Sequence, residues 1–376
     1  MTAQALLLGI ARTVPDAPFM DAAQLNAAVG NNTGNLAFVQ AIDQQLGGGL
    51  PRYRRLERAE IINARPEPVA VVPCANHLGT HLDLAGEAAH FAKIEKPMIA
   101  IGLGAQANVS MNDLPDLPEG SARWLRELAE RSPNGAPNIS VRGEFTRRVL
   151  EKYGVDDKAV VLGCPTLFLG PAQIGKTIAE AAERPIRRVA VASGHYRWRH
   201  LHRLERSLAR IVEETHGAYV LQSPLEMLRA YREEWEALPA DVTDDMSLSL
   251  FDDGNDLDRL RSWYRAYSIA LFDVPAWMNY LRSFDFVIGP RIHGVMLALQ
   301  AGVPGLCIAH DSRTAELCQT MGVPHVRASE VRNGIALQDI RRLFQFDPAA
   351  FDARRQQLGE DYVAFLSGNG LRADLL

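Results

Sequence analysis

The chain has 376 residues, which is enough for two domains that each bury a core of their own. A formal net charge of −5 excludes an overall positive field of the kind that holds nucleic acid or an anionic membrane. A bound anion would therefore have to meet a local cluster of basic residues.

The cysteines and the N-terminus indicate the compartment. Four cysteines lie far apart, without C-x-x-C spacing, and we predict reduced core residues: Cys74, Cys164, Cys307 and Cys318. The apolar run 5–11 is short for a signal peptide, and no run reaches the roughly 18 apolar residues of a transmembrane helix. We expect a cytoplasmic protein and leave open a peripheral contact with the inner face of the membrane.

The first part of the chain alternates short apolar runs with helical patterns. The runs predict buried strands at 5–10, 69–73, 98–103, 138–141, 159–162 and 166–169. Apolar residues at helical spacing predict helices at 36–46, 82–95, 121–131 and 144–153. This alternation indicates a parallel α/β sheet.

A polar stretch at 170–186 interrupts this pattern, and the alternation then restarts. We predict strands at 188–192, 218–222, 286–289 and 305–309, and helices at 200–214, 224–235, 257–270, 275–283, 294–301, 313–321 and 347–365, with an acidic stretch at 241–258. The predicted fold class is α/β, with two doubly wound, Rossmann-like domains at 1–180 and 186–346 facing a cleft. Residues 347–376 form a helix that packs back on them. Ligands of such sheets bind beyond the carboxyl ends of the strands.

The segment G-P-R-I-H-G follows the strand at 286–289 and opens a helix near Gly294. Arg291, His293 and the free N–H groups of the helix N-terminus are predicted to converge there, as in an anion-binding site. The alternative is that Arg291 pairs with Asp285 and that His293 only caps the turn.

Two further arginines follow predicted strands. Arg142 in S-V-R-G-E-F either faces the cleft or pairs with Glu144. Arg313 lies at the positive end of a helix, where Asp311 or a bound anion would have to offset its charge. Because Arg142 and Arg291 come from different domains, we predict that they bridge one small dianion.

Polar loops after strands are the candidates for contacts with a second substrate. The segments are G-N-N-T-G-N-L at 30–36, A-N-H-L-G-T-H at 75–81 and I-G-L-G-A-Q at 101–106, and none matches a dinucleotide or P-loop motif. The candidates are Asn32, Asn35, Asn76, His77, Gln106 and His310. His77 and His81 lack the glutamate of a zinc H-E-x-x-H motif, so no metal site is predicted.

The basic and aromatic segment H-Y-R-W-R-H-L-H-R at 195–203 allows two interpretations. It is either a solvated helix face or a site for a polyprenyl or nucleotide phosphate.

These motifs together resemble the polysaccharide pyruvyl transferase family, and the block from R-I-H-G to A-G-V-P is the most specific part. The resemblance implies a GT-B-like fold. It also implies transfer of pyruvate from phosphoenolpyruvate to two hydroxyls of a sugar in a cell-surface glycan or its precursor, which forms a ketal and needs no cofactor. Arg291 and His293 fall on the family's R-[IL]-H pair, and Arg142 falls on its S-V-R arginine.

The chemistry expected of these residues follows from their charges. Arg142, Arg291, Arg313 and the helix N-terminus at Gly294 would hold the donor, and His293 would protonate its methylene carbon as a general acid. The acceptor sugar is lipid-linked or nucleotide-linked. Two alternatives remain at this point: a GT-B glycosyltransferase that uses a nucleotide sugar, and a non-catalytic glycan-binding protein.

Overall fold

The computed structural model describes residues 4–106, 113–252 and 256–375, and it contains two parallel β-sheets with helices on their faces. The first sheet has the order β2-β1-β3-β5-β6-β7, and β4 pairs with β5. Its strands are β1 (Leu6–Leu8), β2 (Arg52–Tyr53), β3 (Ala70–Pro73), β4 (Asn76–Leu78), β5 (Met98–Ala105), β6 (Ile139–Val141) and β7 (Ala159–Val161).

The second sheet has the order β10-β9-β8-β11-β12-β13, so the chain winds outward in both directions from β8. Its strands are β8 (Val189–Ala192), β9 (Ala218–Leu221), β10 (Ser268–Ala270), β11 (Phe286–Gly289), β12 (Gly305–Ala309) and β13 (His325–Arg327). The order reverses between β8 and β11 in this sheet and between β1 and β3 in the first. Each reversal leaves a crevice at the carboxyl ends of its two strands.

Helices cover both sheets. They are α1 (Ala22–Ala28), α2 (Asn35–Gln45), α3 (Ala59–Asn63), α4 (Ala85–Phe91), α5 (Glu119–Glu130), α6 (Glu144–Lys152), α7 (Gly175–Ala182), α8 (His202–Glu214), α9 (Leu225–Tyr231), α10 (Ala240–Leu250), α11 (Leu257–Tyr267), α12 (Val274–Leu281), α13 (Ile292–Gln300), α14 (Ser312–Met321), α15 (Ile340–Leu343) and α16 (Pro348–Gly368). Among the described residues, none of them is both long enough and apolar enough to cross a membrane.

The predicted fold class is confirmed, because both sheets are parallel and doubly wound with strands buried on both faces. The strand predicted at 166–169 is wrong. Pro165–Phe168 is a 3-10 helix in which Leu167 N–H donates to Cys164 O at 3.0 Å. Proline at its first position presets a helical φ angle and removes the N–H that a central strand would need.

The acidic stretch at 241–258 conceals a helix that the sequence analysis missed. In α10, Val242, Met246 and Leu250 recur every four residues and are buried, so the apolar stripe was present between the aspartates. The predicted helix at 257–270 ends at Tyr267, after which β10 pairs in parallel with β9.

The C-terminal helix α16 lies against the segment that joins the two sheets. Its buried Arg355 donates from Nε to Leu167 O at 3.1 Å and from Nη1 to Pro171 O at 2.8 Å. The neighbouring Arg354 donates to Thr320 O, at the end of α14, at 2.7 Å. These hydrogen bonds connect the C-terminal helix both to the segment between the sheets and to the end of α14.

Candidate functional site

The segment after β11 lies at the crevice of the second sheet. Gly289 has φ +153°, and a Cβ there would lie 2.2 Å from Ala192 O, so only glycine allows β11 to end so close to β8. Arg291 is the residue before α13, and His293 lies in the first turn of that helix.

The predicted role of the Gly294 N–H is wrong, because α13 begins at Ile292, two residues earlier than expected. The Gly294 N–H already donates to Arg291 O at 3.1 Å. Gly294 instead provides space, since a Cβ there would lie 2.8 Å from Ala192 Cβ and 2.9 Å from Gln222 Nε2. The helix N-terminus is still at the site, and its first N–H groups belong to Ile292 and His293.

Arg291 has no ion pair with a carboxylate in the described part of the chain. Its Nε is buried without a hydrogen bond there, and its guanidinium carbon lies 4.9 Å from the centre of the Trp198 ring. The alternative pairing with Asp285 is wrong, because that carboxylate accepts the backbone N–H of Arg188 at 2.9 Å. Burial and the nearby Arg313 lower the pKa of Arg291 to about 10, which leaves it charged at neutral pH.

Arg142 extends from the end of β6 and is only 4% exposed. Its Nε donates to Gly102 O at 2.9 Å and its Nη2 to Cys74 O at 3.5 Å, whereas Glu144 pairs with Arg147 at 2.8 Å. The alternative salt bridge between Arg142 and Glu144 is therefore wrong. Backbone oxygens orient this guanidinium without neutralising it, and burial lowers its pKa.

Arg313 lies at the start of α14, and Asp311 offsets its charge. Asp311 caps the helix by accepting from Thr314 N at 2.7 Å, and its other oxygen lies 3.2 Å from an Arg313 nitrogen. Burial opposes ionisation of Asp311, but Arg313 and the cap outweigh it and lower its pKa to about 2. Of the two partners that the sequence left open for Arg313, the protein carboxylate is present.

A contact between α14 and α6 connects the two halves beside these arginines. Glu316 accepts from Thr146 N at 3.2 Å, and a Cβ on Gly143 would lie 2.3 Å from Glu316 Cγ. Burial raises the pKa of Glu316, and the hydrogen bonds from Thr146 oppose this effect. The loop that carries Arg142 thus lies directly against the helix that carries Arg313.

His293 lies where the two halves meet. Its ring centre is 5.8 Å from that of Phe38, and its Nε2 is 3.7 Å from the Cys164 sulfur. Burial lowers its pKa to about 3, and the positive charges of Arg142, Arg313 and Arg291 add to this effect. Three guanidinium groups from both halves therefore act on one imidazole, which burial and these charges keep neutral at pH 7.

A cavity of about 950 Å³ opens at the crevice of the first sheet. Asn35, Asn76 and His77 line it, and Phe38 forms a wall that it shares with His293 and Arg142. This places three of the predicted second-substrate residues together, next to the arginine cluster.

The other three residues predicted to contact the second substrate, Gln106, Asn32 and His310, do not line this cavity. Gln106 reaches the cavity through Asn76, whose Nδ2 donates to its Oε1 at 2.6 Å. Asn32 is not part of the lining and accepts from Gly34 N at 2.8 Å, close to His293. His310 is also outside it and stacks on Trp198 with 4.2 Å between ring centres.

Burial keeps two of the predicted histidines, His77 and His310, uncharged at neutral pH. His77 accepts from Ala75 N at 2.9 Å and contacts Arg55, and burial together with Arg55 holds its pKa well below the usual value. Burial lowers the pKa of His310 to about 4. In residues 4–106, 113–252 and 256–375, no three His, Cys, Asp or Glu side chains cluster as metal ligands would.

A comparison with protein families decides the classification. The model of the family described as polysaccharide pyruvyl transferase matches residues 32–312. The chain belongs to the polysaccharide pyruvyl transferase family. Within the matched range lie Arg142, Arg291, His293 and the cavity residues Asn35, Asn76 and His77, whereas Arg313 lies just beyond it. A search of curated proteins finds no match.

Solved structures that this family member resembles are distant in sequence. An uncharacterised protein from Klebsiella pneumoniae subsp. pneumoniae has 8% identity and a TM-score of 0.40 over 84% of this chain and 88% of its own. UDP-GlcNAc 2-epimerase from Methanocaldococcus jannaschii has 9% identity and a TM-score of 0.38, with coverage of 95% and 99%. UDP-N-acetylglucosamine 2-epimerase from Rickettsia bellii has 12% identity and a TM-score of 0.40, over 89% of this chain and 80% of its own.

Sequence reasoning missed several residues of this pyruvyl transferase family member. Trp198 supports Arg291, although the sequence analysis treated its segment as a solvated face or a phosphate site. Cys164 was predicted as a plain core residue but touches His293. The cavity is also lined by Arg52, Arg54 and Arg55. These three follow or belong to β2, a two-residue strand that leaves no apolar run in the sequence.

Proposed function

We propose that the protein transfers pyruvate from phosphoenolpyruvate to two hydroxyls of a sugar and so forms a ketal. The supporting observation is that the charges of Arg142, Arg291 and Arg313 all act on the imidazole of His293, and that the Phe38 ring contacts both this imidazole and the Arg142 guanidinium. Membership in the family supports a transferase that acts on polysaccharides, and the charge of the site supports this particular donor.

Phosphoenolpyruvate matches the site in charge. It has one carboxylate and one phosphate on a three-carbon frame, and arginine binds both groups with paired, charge-assisted hydrogen bonds. Arg291 makes no hydrogen bond to the described protein through its buried Nε, so a ligand oxygen would satisfy a donor that is otherwise without a partner. The N-terminus of α13 adds N–H groups that favour an anion.

The donor also changes the protonation of His293. Without an anion, burial lowers the pKa of the imidazole, three positive charges lower it further, and the ring is neutral. Binding of the carboxylate and phosphate offsets those charges, so the pKa of His293 rises and the ring takes up a proton. The site thereby charges its general acid only when the donor is present.

In the proposed reaction two sugar hydroxyls add in turn to the same carbon of the donor. His293 gives its proton to the methylene carbon, and the first sugar hydroxyl attacks the adjacent carbon as that carbon becomes oxocarbenium-like. The bond from that carbon to the phosphate oxygen breaks, inorganic phosphate leaves, and the second hydroxyl closes the ketal. Of the two hydroxyl protons, one replaces the proton that His293 lost to the new methyl group, and the other leaves with phosphate.

We place the acceptor sugar in the cavity at the first sheet. Phe38 forms the wall between this cavity and His293, with 5.8 Å between the two ring centres. Asn35 and Asn76 offer their amide oxygens to sugar hydroxyls, because their amide nitrogens already donate to other groups of the protein. The Asn76 Oδ1 is buried without a partner in the described chain, as expected of a group awaiting a ligand.

Phosphate release tests the donor. The purified protein is incubated with phosphoenolpyruvate and, in separate reactions, simple glycosides, nucleotide-linked sugars and lipid-linked sugars. We expect phosphate release that depends on one acceptor class, and a product heavier by one pyruvate less one water. Glycosyl transfer from a nucleotide sugar, or glycan binding without phosphate release under every condition, would reject the proposal.

Filling the cavity tests the acceptor position. Ala27 lines the cavity from an exposed position of α1, so Ala27→Trp blocks it without disturbing the core. We expect the KM for the acceptor to rise about tenfold or more, while the Kd of phosphoenolpyruvate stays within about twofold. Ala23→Trp, which is exposed on the same helix and outside the cavity lining, is the matched control. Equal acceptor KM values for the two variants would place the acceptor elsewhere.

A further inference from the structure

We infer that Cys164 is a positioning residue that holds His293 through Nε2, so that Nδ1 is the ring nitrogen that exchanges protons with the substrate. The catalytic part of this inference rests on the proposed function, whereas the orientation of the ring does not. Cys164 follows β7 in the first half of the chain and His293 belongs to the second, so the contact also joins the two halves.

The contact is part of a short buried chain of hydrogen bonds. The Cys164 sulfur lies 3.7 Å from His293 Nε2 and 3.0 Å from the Thr166 hydroxyl. Cys164 is 1% exposed and Thr166 is 0% exposed. The Pro165–Phe168 helix holds Thr166 two residues beyond Cys164.

The direction of these bonds follows from counting hydrogens. The sulfur is the only partner of the Thr166 hydroxyl in the described chain, so the hydroxyl hydrogen is satisfied only if it points to the sulfur. The thiol hydrogen then points to Nε2, which must be unprotonated to accept it. The neutral ring therefore carries its hydrogen on Nδ1.

The opposite edge of the ring has no such partner. Nδ1 makes no hydrogen bond to the described residues, and it faces Gly34, where a Cβ would lie only 3.0 Å away. The same Cβ would lie 2.6 Å from Gln222 Oε1 and 3.0 Å from Asn32 Oδ1. The absence of a side chain at Gly34 thus leaves space at Nδ1, which is the nitrogen not already occupied by the protein.

A thiol is suited to both charge states of the ring. When His293 becomes an imidazolium, Nε2 gains a hydrogen and donates it to the sulfur. The sulfur still accepts from the Thr166 hydroxyl through its other lone pair, and the thiol hydrogen turns away from the ring. Nδ1 then gives its proton to the methylene carbon and later takes one from an acceptor hydroxyl. Nε2 stays bonded to Cys164 throughout, so the ring does not rotate between the two steps.

Nitrogen NMR of protein labelled with ¹⁵N in its histidine rings tests the orientation without any substrate. The His293 signals are assigned by their loss in His293→Gln. We expect the wild-type ring at pH 7 to be neutral and protonated on Nδ1, and Cys164→Ala to move a large fraction of it to the Nε2-protonated form. A wild-type ring protonated on Nε2, or a Cys164→Ala spectrum identical to wild type, would overturn the inference. The wild-type spectrum alone decides the tautomer if Cys164→Ala does not fold.

Kinetics test the catalytic part. We expect Cys164→Ala to lower kcat about tenfold or more with the Kd of phosphoenolpyruvate within about twofold, and Cys164→Ser to restore part of kcat by retaining a hydrogen-bond donor. Cys318→Ala removes another buried thiol, in α14, and should leave kcat near wild type. An unchanged kcat in Cys164→Ala would reject the positioning role. If the wild-type protein transfers no pyruvate but the NMR result is as expected, the proposed function fails and the orientation of His293 stands.

Discussion

Replacement of His293 by glutamine is expected to lower the rate of pyruvyl transfer by about 100-fold or more, while phosphoenolpyruvate still binds. Glutamine keeps the volume and polarity of the side chain but cannot deliver a proton to carbon, and general acid catalysis typically contributes about 10²–10⁴-fold. The measurement is acceptor-dependent phosphate release at saturating donor, combined with calorimetric titration of the donor. The exposed His200 provides the control His200→Gln, which should behave as wild type.

His293→Gln also tests whether binding of the donor protonates His293. Because burial and the charges of the three arginines lower the pKa of His293 to about 3, the ring is neutral at pH 6 when no donor is bound. Offsetting those charges with the donor raises this pKa, so binding near pH 6 should take up a fraction of a proton, and uptake should fall as the pH rises above the pKa of the complex. Calorimetry in buffers of different ionisation enthalpy measures it. Proton uptake that persists in His293→Gln, or normal turnover by that variant, would remove His293 from this role.

Neutralisation of Arg142 or Arg291 is expected to weaken phosphoenolpyruvate binding by about 100-fold each. A bidentate pair between arginine and an anionic group contributes two charge-assisted hydrogen bonds, and loss of about 3 kcal/mol corresponds to about two factors of ten in Kd. Arg142→Gln and Arg291→Gln are compared by calorimetric titration. Arg148→Gln is the matched control, since Arg148 is exposed on α6, the helix that follows Arg142. Wild-type affinity in both arginine variants would show that no such pair of arginines binds the donor.

The melting temperature of Arg291→Gln distinguishes a loss of donor binding from damage to the fold. Arg291 stacks on Trp198 and lacks a carboxylate partner within the described residues, and Arg313 lowers its pKa by repulsion as well. Removing the charge therefore relieves repulsion between like charges, so the melting temperature of Arg291→Gln without ligand should equal or exceed that of wild type. Wild type should gain stability on addition of phosphoenolpyruvate, whereas the variant should not.

Local patterns were sufficient for the architecture and for part of the site. Alternating apolar runs and helical stripes predicted the two parallel sheets, and the same pattern predicted that Arg142, Arg291 and His293 lie shortly after strands, as they do. The sequence also left open real alternatives, such as pairs between Arg142 and Glu144 or between Arg291 and Asp285. Only packing decides between them, since Glu144 turns to Arg147 and Asp285 to the backbone of Arg188.

The sequence by itself determined that the chain forms two α/β halves and that basic residues and one histidine stand at the ends of their strands. Both follow from periodicity and from neighbours within a few positions, where local geometry is constrained. Tertiary structure alone decided that Cys164, 129 residues before His293, touches its ring and that Trp198 supports Arg291. It also made three arginines from both halves act on one imidazole. Contacts between residues so far apart depend on how the two sheets pack, and no local pattern records that packing.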